Sequence, residues 1–494
     1  MFLKAGAISL ALLLASRLLG LVRESALAAA FGTSGMADVA VLMLSLPDWL
    51  AGLVASGTLA YVLVPAWARR GAAGVAATQR RVARWALYGG AGLAVGLIVL
   101  RDPAAAWLAG GLAPGPQADA AGALIWSSLA LPAALLGALW ATRLQHERDF
   151  LGLYSANLVV NLALIATIAA VALWAGSDMA VCWLGGGLLL AMGLRLAWLW
   201  HRQVRSCAAV TAQPRAAAVA SLPPLQVWLW AALSAGLPLA LPFAARSIAS
   251  QSGEGGLSTF HYAWKLVELP LLLAIQLVAT LAFPAIAKAF GRRADTGAMD
   301  LAVPIRSAFV LAWTLACAAS TVSATAIRAC GNSPQAATWP HRATRARATA
   351  SMRPYPNRMS ARAGAPNSKP AQAAQARMKA AVVAYALAVA VLIAGAALGV
   401  KDGQTLMWLL NALFAAVSLV MVAALGPDAA EWVPWKPMLI AAAALALVGL
   451  PAAFGLAPAS GQTPIGLAAA VLGAGLVLGL TWLGSGELRA GLRR

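Results

Sequence analysis

The first apolar run of the chain reads Ser16-Arg17-Leu18-Leu19-Gly20-Leu21-Val22-Arg23-Glu24. A guanidinium at the centre of a lipid-spanning helix costs about 2.5–3.5 kcal/mol on the insertion scale, so it is kept where it faces a partner or a watery cavity. Arg17 and Glu24 share one helical face and can pair, while Arg23 lies about 120° away. Gly20 between them permits a bend that brings both arginines toward one cavity. Snorkelling to the interface suits Arg23, near the outer end of the run, and suits Arg17 poorly.

Further charges follow the same pattern. Asp38 opens the second apolar run after Phe31-Gly32-Thr33-Ser34-Gly35, where its plain role is a helix N-cap. Asp48 follows Pro47 inside that run; the proline bends the helix, and the acid beside it is placed to meet an arginine of the first. Arg246 ends the seventh run. In the eighth, Lys265 and Glu268 lie one turn apart in His261-Tyr262-Ala263-Trp264-Lys265-Leu266-Val267-Glu268-Leu269-Pro270. They either neutralise each other or face a substrate, and spacing leaves both open. Cations gathered in a membrane cavity suit an anionic ligand, and phosphate above all, because arginine grips it through two parallel hydrogen bonds.

Other chemistries find no footing. There is no phosphate-binding loop of the nucleotidase kind, no HExxH and no nucleophile elbow. The expectation is therefore a protein that is not an enzyme and needs no cofactor or metal. Cys182, Cys207, Cys317 and Cys330 lack CxxC spacing and read as small buried hydrophobes.

The elements that position these charges are membrane helices. Of the 494 residues 61% are hydrophobic and only 11% charged, against about 25% charged in soluble domains. The long Ala/Leu/Val runs show no period-two alternation, so they read as helices and not as barrel strands. Apolar helices are expected near 5–29, 39–65, 84–100, 119–141, 152–174, 179–200, 225–248, 258–285, 303–322, 380–399, 405–426, 436–456 and 463–484. The fold class is thus an all-α polytopic membrane protein with 13 visible spans. Arg17 and Arg23 inside the first run also argue against a cleavable signal peptide.

The net charge of +20 is not a nucleic-acid signature, since no aromatic-basic motif accompanies it. It sits in loops. Those after spans 2, 4, 6 and 8, with the edges of the next spans, carry 14 Arg and Lys, from Arg69 and Arg70 to Arg306; those after spans 1, 3, 5 and 7 carry only Arg101. By the positive-inside rule the N-terminus is cytoplasmic. The basic tail, Arg489 to Arg494, also belongs in the cytoplasm, which demands an even number of crossings.

The missing crossing falls in an anomalous stretch. From Arg328 to Ala381 there is no Leu, Ile, Val, Phe, Asp or Glu, but there are 8 Arg, 2 Lys and 6 Pro. No membrane helix forms from that composition. Residues 328–377 read as a disordered basic loop or as a stretch translated out of frame. The absence of acids and branched apolar residues favours the frame change, which reading the gene in its other frames would test. The division expected is an N-terminal lobe over 1–200, a second lobe over 225–399 that contains the anomaly, and remaining helices over 405–484.

These residues resemble the MurJ/MviN family, the lipid II flippases of peptidoglycan synthesis. The likeness lies in Ala15-Ser16-Arg17 through Arg23-Glu24, then Phe31-Gly32, Ala37-Asp38, Leu46-Pro47, Gly57 and Val64-Pro65. It returns at Tyr262-Ala263, Lys265-Leu266, Glu268-Leu269-Pro270, Phe283-Pro284 and Lys288-Ala289-Phe290. The resemblance implies 14 helices in two lobes, of the multidrug/oligosaccharidyl-lipid/polysaccharide exporter kind, in the bacterial cytoplasmic (inner) membrane. It implies that the pyrophosphate-sugar head of lipid II crosses through a cationic cavity by alternating access while the polyprenyl tail stays among the membrane lipids. Arg17, Arg23, Asp38 and, as lysine for the usual arginine, Lys265 would be cavity residues; Asp48, Arg246 and Glu268 complete the candidate substrate site. The chain departs from the family pattern at Ala51 (usually a cavity Arg), Ser56 (usually an acid), Asp48 (usually Asn) and Ala245 (usually Asp).

Two rival readings stand beside this one. The first is an exporter of another lipid-linked oligosaccharide, or of a drug, on the same fold; a drug exporter would want an acidic, aromatic-lined cavity, which the arginines of the first helix oppose. An inactive membrane scaffold that recruits cell-wall synthesis proteins is favoured by the lost charges of the second helix.

Overall fold

The computed structural model describes residues 2–53, 58–68, 71–147, 149–174, 179–208, 222–265, 268, 306, 310, 313–314, 317–318, 369–424, 426, 433–453 and 463–486. Among them there is no strand. The helices are α1 (Phe2–Phe31), α2 (Gly35–Leu53), α3 (Ala60–Trp67), α4 (Ala72–Val99), α5 (Arg101–Leu108), α6 (Pro114–His146), α7 (Phe150–Trp174), α8 (Ala180–Ala208), α9 (Leu225–Ser250), α10 (Lys369–Ala397), α11 (Gly403–Ala423), α12 (Trp435–Ala453) and α13 (Thr463–Gly484). A further helical segment covers 256–265. The protein is a polytopic all-α membrane protein; eight of the described helices are long and apolar enough to cross a bilayer.

Most expected spans are present within a few residues. Four details differ. Helix α4 begins at Ala72, well before the expected 84, so Arg80, Arg81 and Arg84, counted as loop cations, stand on a helix. The long second span is resolved into α2 and α3, with Pro47 inside the first and Pro65 inside the second. The loop after the third span holds the short helix α5, whose Asp102 lies in its first turn and so favours the helix dipole. Of the basic stretch 328–377, residues 328–368 and any tenth crossing there lie outside the described residues, but 369–377 are helical, because α10 begins at Lys369. Most of the eighth and ninth spans also lies outside them.

Contacts divide the chain into two compact units. The first is built on Met1–Tyr262 with Tyr385–Leu406; the described residues of the second begin at Ala263, continue through 369–384 of α10 and resume at Met407. Residues 225–262, which hydropathy alone assigns to the second lobe, pack with the first unit.

Helix α6 is the axis of the first unit and packs against α2, α4 and α8, while α7 packs against α1 and α8. In lipid, helix association depends on close contact and not on expulsion from water, so small residues line these seams. Ala120, Ala123, Ala130, Ala134 and Ala138 of α6 are fully buried. Gly185 of α8 lies flat on the Trp126 ring, where any Cβ would overlap it. Ser127 Oγ donates to the Met43 carbonyl at 2.7 Å and fastens α6 to α2. The opposite face of α4 presents Trp85, Tyr88, Leu93, Val95 and Val99, a contiguous apolar face of the kind lipid covers. In the second unit α12 and α13 pack together, and Cys317 and Ala318 join Ala441, Ala444 and Val477 in one core.

Candidate functional site

The charges of α1 meet those of α2 inside the first unit. Arg23 donates from Nη2 to Glu24 Oε1 at 2.6 Å and from Nη1 to Asp48 Oδ2 at 3.2 Å. His261 Nε2 donates to the other Glu24 oxygen at 3.0 Å. One guanidinium, two carboxylates and one imidazole thus form a connected group, drawn from α1, α2 and the segment 256–265. Arg23, Glu24 and His261 are buried or nearly so, whereas the Asp48 side chain is 41% exposed and is the open member. The Tyr262 hydroxyl is buried nearby, within range of the Glu24 and Asp38 charges.

Asp38 is placed differently from expectation. The cap of α2 is Ser34, whose Oγ accepts the Ala37 N–H at 3.3 Å. Asp38 is fully buried and caps a different helix: its oxygens accept the backbone N–H groups of Gly255 at 2.8 Å and Ser258 at 2.7 Å, at the start of 256–265. Gly255 has φ +80°, and any Cβ on it would strike the Thr33 carbonyl, so glycine is required on both counts. Beside it Ser247 Oγ donates to the Trp107 carbonyl at 2.8 Å. In this way α2 is tied to the start of 256–265, and α5 to α9, through backbone groups.

Arg17 lies on the α7 side of α1, near enough for its charge to act on the Tyr154 hydroxyl. One residue before it, the Ser16 carbonyl accepts Asn161 Nδ2 at 3.3 Å. Arg246 lines a small cavity with Leu42, Ser45, Leu108, Phe243, Ser247 and Leu257. Above it Trp49 stacks on Phe243 with ring centroids 4.6 Å apart. In the second unit Lys265 Nζ is 2.9 Å from Glu268 Oε2, both half-buried. The structure therefore brings Arg23 and Asp48 together and Lys265 and Glu268 together; Asp38 and Arg246 occupy separate places in the first unit. Among the described residues no cluster of His, Cys, Asp and Glu is suited to a metal ion.

Three participants are not apparent from local spacing. His261 answers Glu24 from 237 residues away. Arg195, in the middle of α8, lies within range of the Asp48 charge. Arg143, counted among the loop cations, is buried at the end of α6, over the Trp67 ring and 2.6 Å from Glu147. At the same end Arg202 holds Asp149 through two hydrogen bonds, of 3.0 and 2.7 Å. A scan for charged residues within spans would have found Arg195; nothing local would have found His261.

One solved structure shares this architecture. The solved structure titled "Lipid II flippase MurJ, inward closed conformation" superposes with a TM-score of 0.64 at 13% identity, over 97% of this chain and 99% of that one. At that identity the likeness is one of fold. An inward-facing multidrug resistance MATE family transporter of the MOP superfamily aligns with a TM-score of 0.48 at 14% identity, over 97% of this chain and 96% of that one. A MOP superfamily transporter from Pyrococcus furiosus aligns at 0.49 and 14%, over 99% and 97%. No curated protein sequence matches the chain. The family model for "Lipid II flippase MurJ" matches residues 27–329, more than half of the sequence, starting just past the Arg17–Glu24 motif. The chain belongs to the lipid II flippase MurJ family.

Proposed function

We propose that the chain carries lipid II, a polyprenyl-pyrophosphate-linked glycan, across the bacterial cytoplasmic membrane by alternating access, without making or breaking covalent bonds. The observation that carries this reading is Arg23, a guanidinium inside the membrane held by Glu24 and by the half-open Asp48. A carboxylate is a weaker and narrower partner for a guanidinium than a pyrophosphate, which offers more acceptor oxygens and more charge. An arriving pyrophosphate displaces Asp48 from Arg23 while Glu24, pinned by His261, stays in place. Arg17 adds a second cation on the same helix, and Lys265 is the candidate on the second unit. The apolar tail needs no site of its own, because it stays in lipid.

Expression of the chain in cells depleted of their own lipid II flippase tests this. Growth and normal cell-wall synthesis are expected, and Arg23→Ala, inserted in the membrane at the normal level, should abolish both. A wild-type chain present at normal level that fails to restore growth would overturn the assignment of lipid II and turn attention to a scaffolding role.

A further inference from the structure

Arg195 lies on the inward stripe of α8. Leu184, Leu188, Ala191 and Leu199 are buried, and Arg195 falls between the last two on the same helical register. A side chain on that stripe does not point to lipid. Its Nε is out of solvent and has no hydrogen-bond partner among the described residues. Arg195 lies against α6 at Gly137, where a Cβ would stand in ordinary contact, 3.6 Å from that nitrogen.

Helices α2, α6 and α8 alternate in chain order so that all three run the same way through the membrane, and α6 serves as a common ruler. Met43 is bonded to Ser127, and Gly185 rests on Trp126. Counting along from those contacts, Asp48 and Arg195 differ in depth by roughly four residues, about 6 Å, a distance an arginine side chain covers. Helices α2 and α8 pack against each other, and Asp48 is the carboxylate whose charge bears on Arg195. Asp48 is therefore bonded to Arg23 and within range of the Arg195 charge.

We propose that Arg195 is a second pyrophosphate-binding guanidinium, and that Asp48 is the resting counterion it shares with Arg23. The proposal rests on the reading of the chain as a carrier of a lipid-linked pyrophosphate. The two phosphates of such a headgroup match two arginines better than one, each arginine gripping one phosphate. The shared carboxylate holds the site together when it is empty and is the group the substrate replaces.

The test is binding of geranylgeranyl pyrophosphate to the purified full-length chain in detergent. Arg195→Gln should weaken binding about tenfold, and Arg195→Lys only about threefold, because lysine keeps the charge and loses the fork. Asp48→Asn should tighten binding, since it removes the competing carboxylate. If Arg23→Gln loses binding while both Arg195 variants bind like wild type, the carrier reading stands and Arg195 is merely a counterion for Asp48. If the wild-type chain does not bind the probe, both readings fall together. Should Arg195→Gln fail to fold, Arg195→Lys and Asp48→Asn decide: unchanged or weaker binding in Asp48→Asn overturns the proposal.

Discussion

Asp38 on α2 accepts the backbone N–H of Ser258 at 2.7 Å, across 220 residues of chain. Its second oxygen takes the Gly255 N–H. Each buried donor left without an acceptor costs about 1–3 kcal/mol. Asp38→Ala should therefore lower the thermal unfolding temperature in detergent and speed hydrogen exchange at Gly255 and Ser258. Asp38→Asn, which keeps one acceptor oxygen, should recover part of the loss. An unchanged melting temperature in Asp38→Ala would remove the cap from any structural role.

Glu24 serves two donors at once, Arg23 and His261. Removing one partner of a buried charged pair is destabilising by about 3–5 kcal/mol, because the other is left uncompensated. Glu24→Ala should be the most damaging single change in this group. Glu24→Ala with His261→Ala should cost less than the sum of the two, since the second removes a group the first has already orphaned. Additive unfolding free energies would mean that the two side chains do not depend on each other.

Lys265 and Glu268 form one ion pair, and its purpose can be read from a double variant. If Lys265 serves the substrate, Lys265→Ala abolishes transport and Lys265→Ala with Glu268→Ala does not restore it. Recovery in the double variant would mark the pair as mutual neutralisation only. Arg17→Ala, assayed alongside, is expected to insert normally and to lose transport.

Orientation is open to direct chemical test. Ala72 begins α4 and is exposed, on the side the loop cations assign to the cytoplasm. In a background freed of Cys182, Cys207, Cys317 and Cys330, a cysteine placed at Ala72 should resist impermeant thiol reagents in intact cells and react once the membrane is opened. Strong labelling from outside would reverse the orientation and the span count.

Hydropathy is enough to locate α1, α4, α6, α7, α8 and α9, because each must bury or expose apolar surface over a bilayer's thickness. It passes over α5, whose eight residues with Asp102 and Pro103 are too short and too polar to register. The meeting of Arg23 and Asp48 is legible from Pro47 and the adjacent acid. The partner of Asp38 is not: an acid after a glycine-rich turn has the look of a cap for its own helix, and only the tertiary fold shows that Ser34 already fills that place. His261 and Arg195 escape for opposite reasons. One is a residue whose role exists only through a distant carboxylate; the other lies seven residues from Arg202, close enough to a basic helix end to pass for part of it.

The Glu24–His261 pair also sets an order of events during biosynthesis. The two residues are 237 apart, and a ribosome adding about 5–20 residues per second needs roughly 10–50 s to produce the second after the first. Throughout that interval α1 must enter the bilayer with a carboxylate whose final partner does not yet exist. The adjacent Arg23, already bonded to Glu24 at 2.6 Å in the finished protein, is the one cation of the group that emerges with it. The nascent helix thus carries its own temporary neutralisation, and the imidazole arrives later as a lock on a chain segment that has long since been inserted.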